Sequence, residues 1–122
     1  MPKNLTKYVV GMDRSIKETI ATITSNLTRC VIVVDKNNTV VGVISEGDII
    51  RSLLDDVSLY TPVGKVVRPS FRYLNDNDLR AGLDLLKSGV TLIPVIGKNF
   101  DLIDVITVHD LMDYLTDQLP DV

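Results

Sequence analysis

Twice in this chain an apolar run ends in a hydroxyl residue and an aspartate follows three positions on. Ser45 precedes Asp48 after Val41-Gly42-Val43-Ile44, and Thr107 precedes Asp110 after Ile103-Asp104-Val105-Ile106; the two elements lie 62 residues apart. The correspondence runs further back. Ile16, Ile20 and Ile23 match Leu79, Leu83 and Leu86 at an offset of 63, while Val31 and Val33 match Ile93 and Val95 at 62. One extra residue in the first copy, between Ile23 and Val31, accounts for the change. Each copy reads as helix, strand, turn, strand, helix. Such a period exceeds the roughly 20–50 residues of solenoid repeats, so two subdomains packed as one body are expected. A separate half of about 60 residues would bury only about 60% of its unfolded surface, so the halves are expected to share a core or to dimerise.

The remaining composition narrows the class. The 122 residues suit one compact domain, and 45% hydrophobic content with a mean hydropathy of +0.21 supplies ample core. No apolar run approaches the roughly 18 residues of a membrane span, and Met1-Pro2-Lys3-Asn4-Leu5 lacks the apolar stretch of a signal peptide. A single cysteine, Cys30, excludes an intramolecular disulfide framework and fits a reducing compartment. A net charge of −3 and a pI near 4.9 argue against a broad nucleic-acid partner. The expectation is a cytoplasmic protein with neither a membrane nor a nucleic-acid partner.

Local signals place the elements. Ser15-Ile16-Lys17-Glu18 has the form of a capping box ahead of a helix whose face is Ile16, Ile20 and Ile23. Cys30 to Val34 is a continuous apolar run that predicts a strand buried on both faces. Asp35-Lys36-Asn37-Asn38 is turn chemistry, and Thr39 to Ile44 is the returning strand. A helix over 46–55 is expected to turn Ile49, Ile50, Leu53 and Leu54 inward. The segment 55–70 holds Pro62, Gly64 and Pro69 and reads as a linker, with a short turn near Val63. Asn75-Asp76-Asn77-Asp78 offers N-caps to the next helix, which ends at Ser88-Gly89. Strands at Val90–Ile96 and Asp101–Ile106 follow. The last helix, about 108–118, is expected to face Leu111, Met112, Leu115 and Leu119 inward and Asp113 and Asp117 outward.

These repeated residues resemble the CBS-domain family, named after cystathionine β-synthase, over nearly the whole chain: roughly 6–54 for a first motif and 61–118 for a second, whose start overlaps the linker. The resemblance implies an α/β fold in which two motifs pack about a pseudo-two-fold axis as a CBS pair with two clefts. It also implies an adenine nucleotide as ligand (AMP, ADP, ATP or S-adenosylmethionine) and regulation of a fused or partner enzyme, with homodimerisation. Ser45 and Thr107, with nearby N–H groups, would donate to phosphate, Asp48 and Asp110 would hold ribose, and Thr91, Leu92, Ile93 and Pro94 would wall the adenine. The motif is split between the copies. Gly89-Val90-Thr91-Leu92-Ile93-Pro94 matches the family's wall, but Asp104 replaces a glycine ahead of Val105-Ile106-Thr107; Gly42-Val43-Ile44-Ser45-Glu46-Gly47-Asp48 matches, but Thr28 to Ile32 has neither glycine nor proline. The wall at Gly89–Pro94 is therefore expected to serve Asp110.

Tyr8-Val9-Val10, Ser45 to Arg51 and Ser58-Leu59-Tyr60-Thr61-Pro62-Val63 are more narrowly similar to CBS pairs attached to sugar-phosphate nucleotidyltransferases or sugar-phosphate isomerases. No Gly-rich nucleotidyltransferase loop is present, so the chain reads as a regulatory fragment of such an enzyme or as a free-standing module.

The hydroxyl-x-x-Asp elements have a second reading, as capping boxes that only start helices, and both roles can coexist. A dimerisation module with empty clefts is the alternative function. Arg29, Arg51, Lys98 and His109 lie beside the predicted clefts in sequence, and Arg14, Arg68, Arg72 and Arg80 lie elsewhere. One histidine without cysteine partners gives no metal site. Ser45, His109 and Asp48 have no nucleophile elbow to support a catalytic triad, so no catalytic residue is assigned and the chain is not expected to be an enzyme.

Overall fold

Strands that are apolar at every position need cover on both faces, and the architecture provides it. The computed structural model describes residues 4–118; Leu119 and Met1–Lys3 lie outside the described residues. The first copy comprises β1 (Val9–Gly11), α1 (Ile16–Asn26), β2 (Cys30–Val34), β3 (Val40–Ser45) and α2 (Glu46–Leu54). A 3-10 turn at Val63–Lys65 sits in the connection. The second copy comprises α3 (Leu79–Lys87), β4 (Leu92–Ile96), β5 (Leu102–Thr107) and α4 (Val108–Gln118).

β2 and β3 form an antiparallel hairpin with Cys30 opposite Ser45, and β1 adds to β2 in parallel. β4 and β5 repeat the hairpin with Leu92 opposite Thr107. The counterpart of β1 shrinks to a single parallel bridge between Leu74 and Val95. Pro94 is tolerated in β4 for a related reason. Its carbonyl accepts from Leu74 N–H, so its missing N–H also points to that short edge and costs no bond to β5.

Alternation along the strands sorts the core into layers. Val31, Val33 and Ile44 face α1 and α2, packing with Ile16, Ile23 and Ile49. Ile93, Val95 and Ile106 face α3 and α4, packing with Leu111. The opposite strand faces meet each other: Ile32, Val34 and Val40 of the first hairpin pack on Leu92, Ile96, Leu102 and Val105 of the second. Burying each such side chain contributes roughly 1.5–3 kcal/mol, so this middle layer holds the halves together. The hairpin turns also meet, where Leu102 N–H donates to the Asn38 carbonyl at 3.0 Å and Asn38 Nδ2 to the Leu102 carbonyl at 3.1 Å.

Helix starts follow the sequence closely. Ser15 caps α1 with a complete box to Glu18, and Asp78 caps α3 by accepting from Ala81 N–H. The helix faces differ from expectation. Ile49 and Leu111 are buried and Leu53 is half-buried, but Ile50 is 57% exposed, Leu54 77%, Met112 56% and Leu115 40%. Each helix rests on a two-strand hairpin, which is narrower than its apolar stripe, so the outer part of the stripe stays uncovered.

Gly42 marks a close backbone approach. A Cβ there would stand 2.5 Å from the Arg68 carbonyl oxygen, because the connection between the copies crosses β3 at this point. Asp104 occupies the equivalent place in β5, where its carboxylate accepts from Asn77 Nδ2 at 2.6 Å. Gly42→Ala is expected to destabilise the fold by about 1–3 kcal/mol through overpacking, read as a lower urea midpoint. An unchanged midpoint would mean the connection moves aside freely.

Candidate ligand clefts

Both hydroxyl-x-x-Asp elements are complete capping boxes. Ser45 Oγ accepts from Asp48 N–H at 3.2 Å, while one Asp48 oxygen accepts from Ser45 N–H and Ser45 Oγ, each at 3.0 Å. Thr107 and Asp110 repeat this at 3.2 Å for the hydroxyl acceptor, 2.8 Å for the Thr107 N–H and 3.1 Å for its hydroxyl. Each hydroxyl proton is thus directed into its own box.

Charges around the first box are compensated. Burial pushes the Asp48 carboxyl up, but the Ser45 N–H, the Arg51 guanidinium at 2.6 Å and the Ser45 hydroxyl outweigh it and hold the group below its ordinary value. Glu18 is held low by the Ser15 N–H and hydroxyl and by Arg14. Cys30 moves the other way: burial raises its thiol.

Two clefts open where the copies meet at the hydroxyl ends of the hairpins. The first, of about 360 Å³, is lined by Tyr8 and Asn26–Arg29 of the first copy and by Thr91 and Thr107–His109 of the second. The second, of about 180 Å³, is lined by Ser70–Arg72 and Gly89–Leu92 of the second copy and by Cys30 and Val43 of the first. The offset of 62–63 residues relates their loops, Tyr8 and Asn26–Arg29 to Ser70–Phe71 and Gly89–Leu92, but not their other walls: the equivalents of Thr107–His109 are Ser45–Gly47, where the second cleft has Cys30 and Val43. Each is built from the loop before the first hairpin strand of one copy and the hairpin of the other. The expected pairing of Gly89–Pro94 with Asp110 is therefore replaced. Gly89–Leu92 faces Cys30 and Val43, and the start of α4 faces Asn26–Arg29.

The candidate residues distribute unevenly over these clefts. Thr107 lines the first, Leu92 the second, and Thr91 both. Ile93 and Pro94 lie deeper in β4, and Ile93 packs into the α3–α4 core. Ser45 and Asp48 sit half-buried at the start of α2. Asp110 borders a separate hollow with Asn77, Asp104, Asp113 and Asp117. Of the cations expected beside the clefts, Arg29 and His109 line the first. Arg51 instead pairs with Asp48, and Lys98 sits at the opposite end of the hairpin from Thr107. Arg72, expected elsewhere, lines the second cleft.

The loop of the first cleft is held by residues that the motif did not flag. Asn26 is buried; its amide donates to the Cys30 carbonyl at 3.0 Å and its oxygen accepts from Thr28 N–H at 2.9 Å. Thr91 Oγ1 donates to the Thr28 carbonyl at 2.9 Å, tying the two loops together. Leu27 adopts a left-handed φ of 62° with 86% of its surface exposed, where the second copy has Gly89 at φ 97°. A helix that ends in this conformation favours glycine, so Leu27 shows an apolar side chain at the cleft rim against its backbone preference. The offset between the copies was the only sequence signal pointing to these residues.

The CBS-domain family model matches residues 4–55. Over 105 residues the chain is 29% identical to an uncharacterised protein of Rickettsia prowazekii, covering 85% of this chain but only 33% of that one, so it spans a third of that relative's length. Its fold resembles a CBS domain pair/ACT domain protein of Thermotoga maritima with a TM-score of 0.73 at 21% identity, covering 97% of this chain and 100% of that one. It also resembles a CBS domain protein of Pyrobaculum aerophilum complexed with AMP, with a TM-score of 0.66 at 19% identity over 89% and 90% of the two chains. Residues 4–55 thus carry the similarity to the CBS-domain family. The two halves together have the α/β fold of a CBS pair.

A carboxylate held below its unfolded pKa adds stability that is present above the unfolded value, near 4, and is lost as pH falls through the folded one. Asp48 and Glu18 both have this sign. The urea midpoint is expected to drop as pH is lowered from about 5 to below 4, with Asp48→Asn flattening part of the drop. A midpoint insensitive to pH over this range would contradict the assignment of both boxes.

Proposed function

We propose that this chain is a regulatory module that senses an adenine nucleotide, AMP, ADP, ATP or S-adenosylmethionine, in the clefts between its two copies. The observation that carries the reading is the first cleft. Its volume of about 360 Å³ lies in the range of small-molecule sites. It joins an apolar rim at Tyr8 and Leu27 to the cations Arg29 and His109 and to the N-terminus of α4, where the helix dipole favours an anion. The AMP complex of the Pyrobaculum protein, a CBS domain protein of similar fold, supports the ligand class. Thr107, Thr91 and Leu92 are the candidate residues placed to touch a ligand; Ser45, Asp48 and Asp110 act on it through the helix starts they fix, and Ile93 and Pro94 through the shape of β4.

The nucleotide regulates by binding one arrangement of the halves more tightly than another. Its effector is a fused or partner enzyme. The narrow likeness around Tyr8–Val10 and Ser58–Val63 favours a sugar-phosphate nucleotidyltransferase or isomerase. The role is regulatory and not catalytic, in a reducing compartment such as the cytoplasm. The uncovered stripes at Ile50, Leu54, Met112 and Leu115 favour a second role that can stand without a ligand, homodimerisation through the helical faces.

Two measurements check these roles. A nucleotide at 100 times its dissociation constant should stabilise the fold by about 2.7 kcal/mol, a rise of several degrees in Tm. Unchanged melting with every nucleotide of the set at millimolar concentration would defeat the sensor reading. Light scattering at tens of micromolar should give a dimer that Ile50→Glu with Met112→Glu converts to monomer; a monomeric parent chain would remove the dimer role.

A further inference from the structure

The ion pair between Arg29 and Glu46 stands where the first cleft meets a second hollow, the groove between α1 and α2. Arg29 lines both. Glu46 opens α2 and lines the groove together with Ile20, Ile49 and Ile50. The two residues are tied twice: Glu46 N–H donates to the Arg29 carbonyl at 3.0 Å, and Arg29 Nε donates to Glu46 Oε1 at 2.8 Å. Arg29 also holds a left-handed φ of 68°, a conformation unfavourable to an L-residue, so its direction is imposed by the loop that Asn26 organises.

Both side chains are largely in water, 80% and 47% exposed, and exposed ion pairs are weak. A phosphate offers the guanidinium a charge-assisted, bidentate partner that a single carboxylate contact at Nε does not match. The second copy has no such pair, because the equivalents of Arg29 and Glu46 are Thr91 and Val108.

We propose that Glu46 is a tethered competitor for the anionic group of the cleft's ligand: a phosphate that captures Arg29 releases Glu46 and alters the α1–α2 groove. This rests on the nucleotide reading above and adds two properties to it. The cleft selects its ligand by charge, since a neutral nucleoside leaves the pair intact. The groove beside the exposed Ile50 registers that charge, so occupancy by a phosphorylated ligand is transmitted to the face available to a partner.

Calorimetric titration with AMP and with adenosine, on the parent chain, Glu46→Gln, Arg29→Gln and the double variant, tests this. Glu46→Gln should tighten AMP by up to about fivefold and leave adenosine unchanged. Arg29→Gln should weaken AMP toward adenosine, and adding Glu46→Gln to it should then have no effect. In methyl NMR spectra AMP, but not adenosine, should shift the Ile50 methyl resonance, and Arg29→Gln should abolish the shift. If AMP binds but Glu46→Gln leaves its affinity unchanged, or if adenosine shifts Ile50 as much as AMP does, the competitor role is overturned while the nucleotide reading stands. No binding of either compound by the parent chain would bring down the nucleotide reading and the competitor role with it.

Discussion

Seven side chains, Ile32, Val34, Val40, Leu92, Ile96, Leu102 and Val105, close the space between the two hairpins, and the rest of the molecule depends on that contact. Each half alone would be marginal: a unit of about 60 residues buries only about 60% of its unfolded surface. Face-to-face packing solves this by covering the second face of β2 and β4, whose positions from Val31 to Val34 and from Leu92 to Ile96 are all buried. It also brings the hydroxyl ends of both hairpins together, and only then do the two clefts exist. Fold stability and site geometry therefore rest on the same apolar layer.

Polar contacts refine what this layer sets. The capping boxes at Ser45–Asp48 and Thr107–Asp110 fix where α2 and α4 begin, and the start of α4 lines the first cleft. Asn26 and Thr91 then fix the loops against one another across the copies. The two clefts end up unequal despite the repeat. The first has Leu27 and Arg29 in left-handed conformations and twice the volume; the second has Gly89 and the thiol of Cys30. The copies have thus diverged most in the loops that would touch a ligand and least in the strands that hold them.

Much of this was legible in the residues. The 62-residue repeat, the apolar runs at Cys30–Val34 and Val90–Ile96 (the latter a strand only from Leu92), and the helix starts at Ser15, Ser45 and Asp78 all follow from local chemistry, which acts within a few positions of the chain. The composition of the clefts was not legible, because a repeat shows which positions are equivalent and not which copy faces which. That is why the sequence pairs Gly89–Pro94 with Asp110 although Gly89–Leu92 lines the cleft with Cys30 and Val43, and why it sets Arg72 apart from the cleft it lines. Periodicity also failed at Ile50, Leu54, Met112 and Leu115. An apolar stripe looks the same whether its cover comes from its own chain or must come from another.

The central claim is that a ligand is held jointly by both copies, and a crystal structure of the chain grown with AMP tests it most directly. The account predicts electron density for one nucleotide in the first cleft, touching Thr28 or Arg29 of the first copy and Val108 or His109 of the second. Density held by residues of one copy alone, or lying in the groove between α1 and α2, would contradict it.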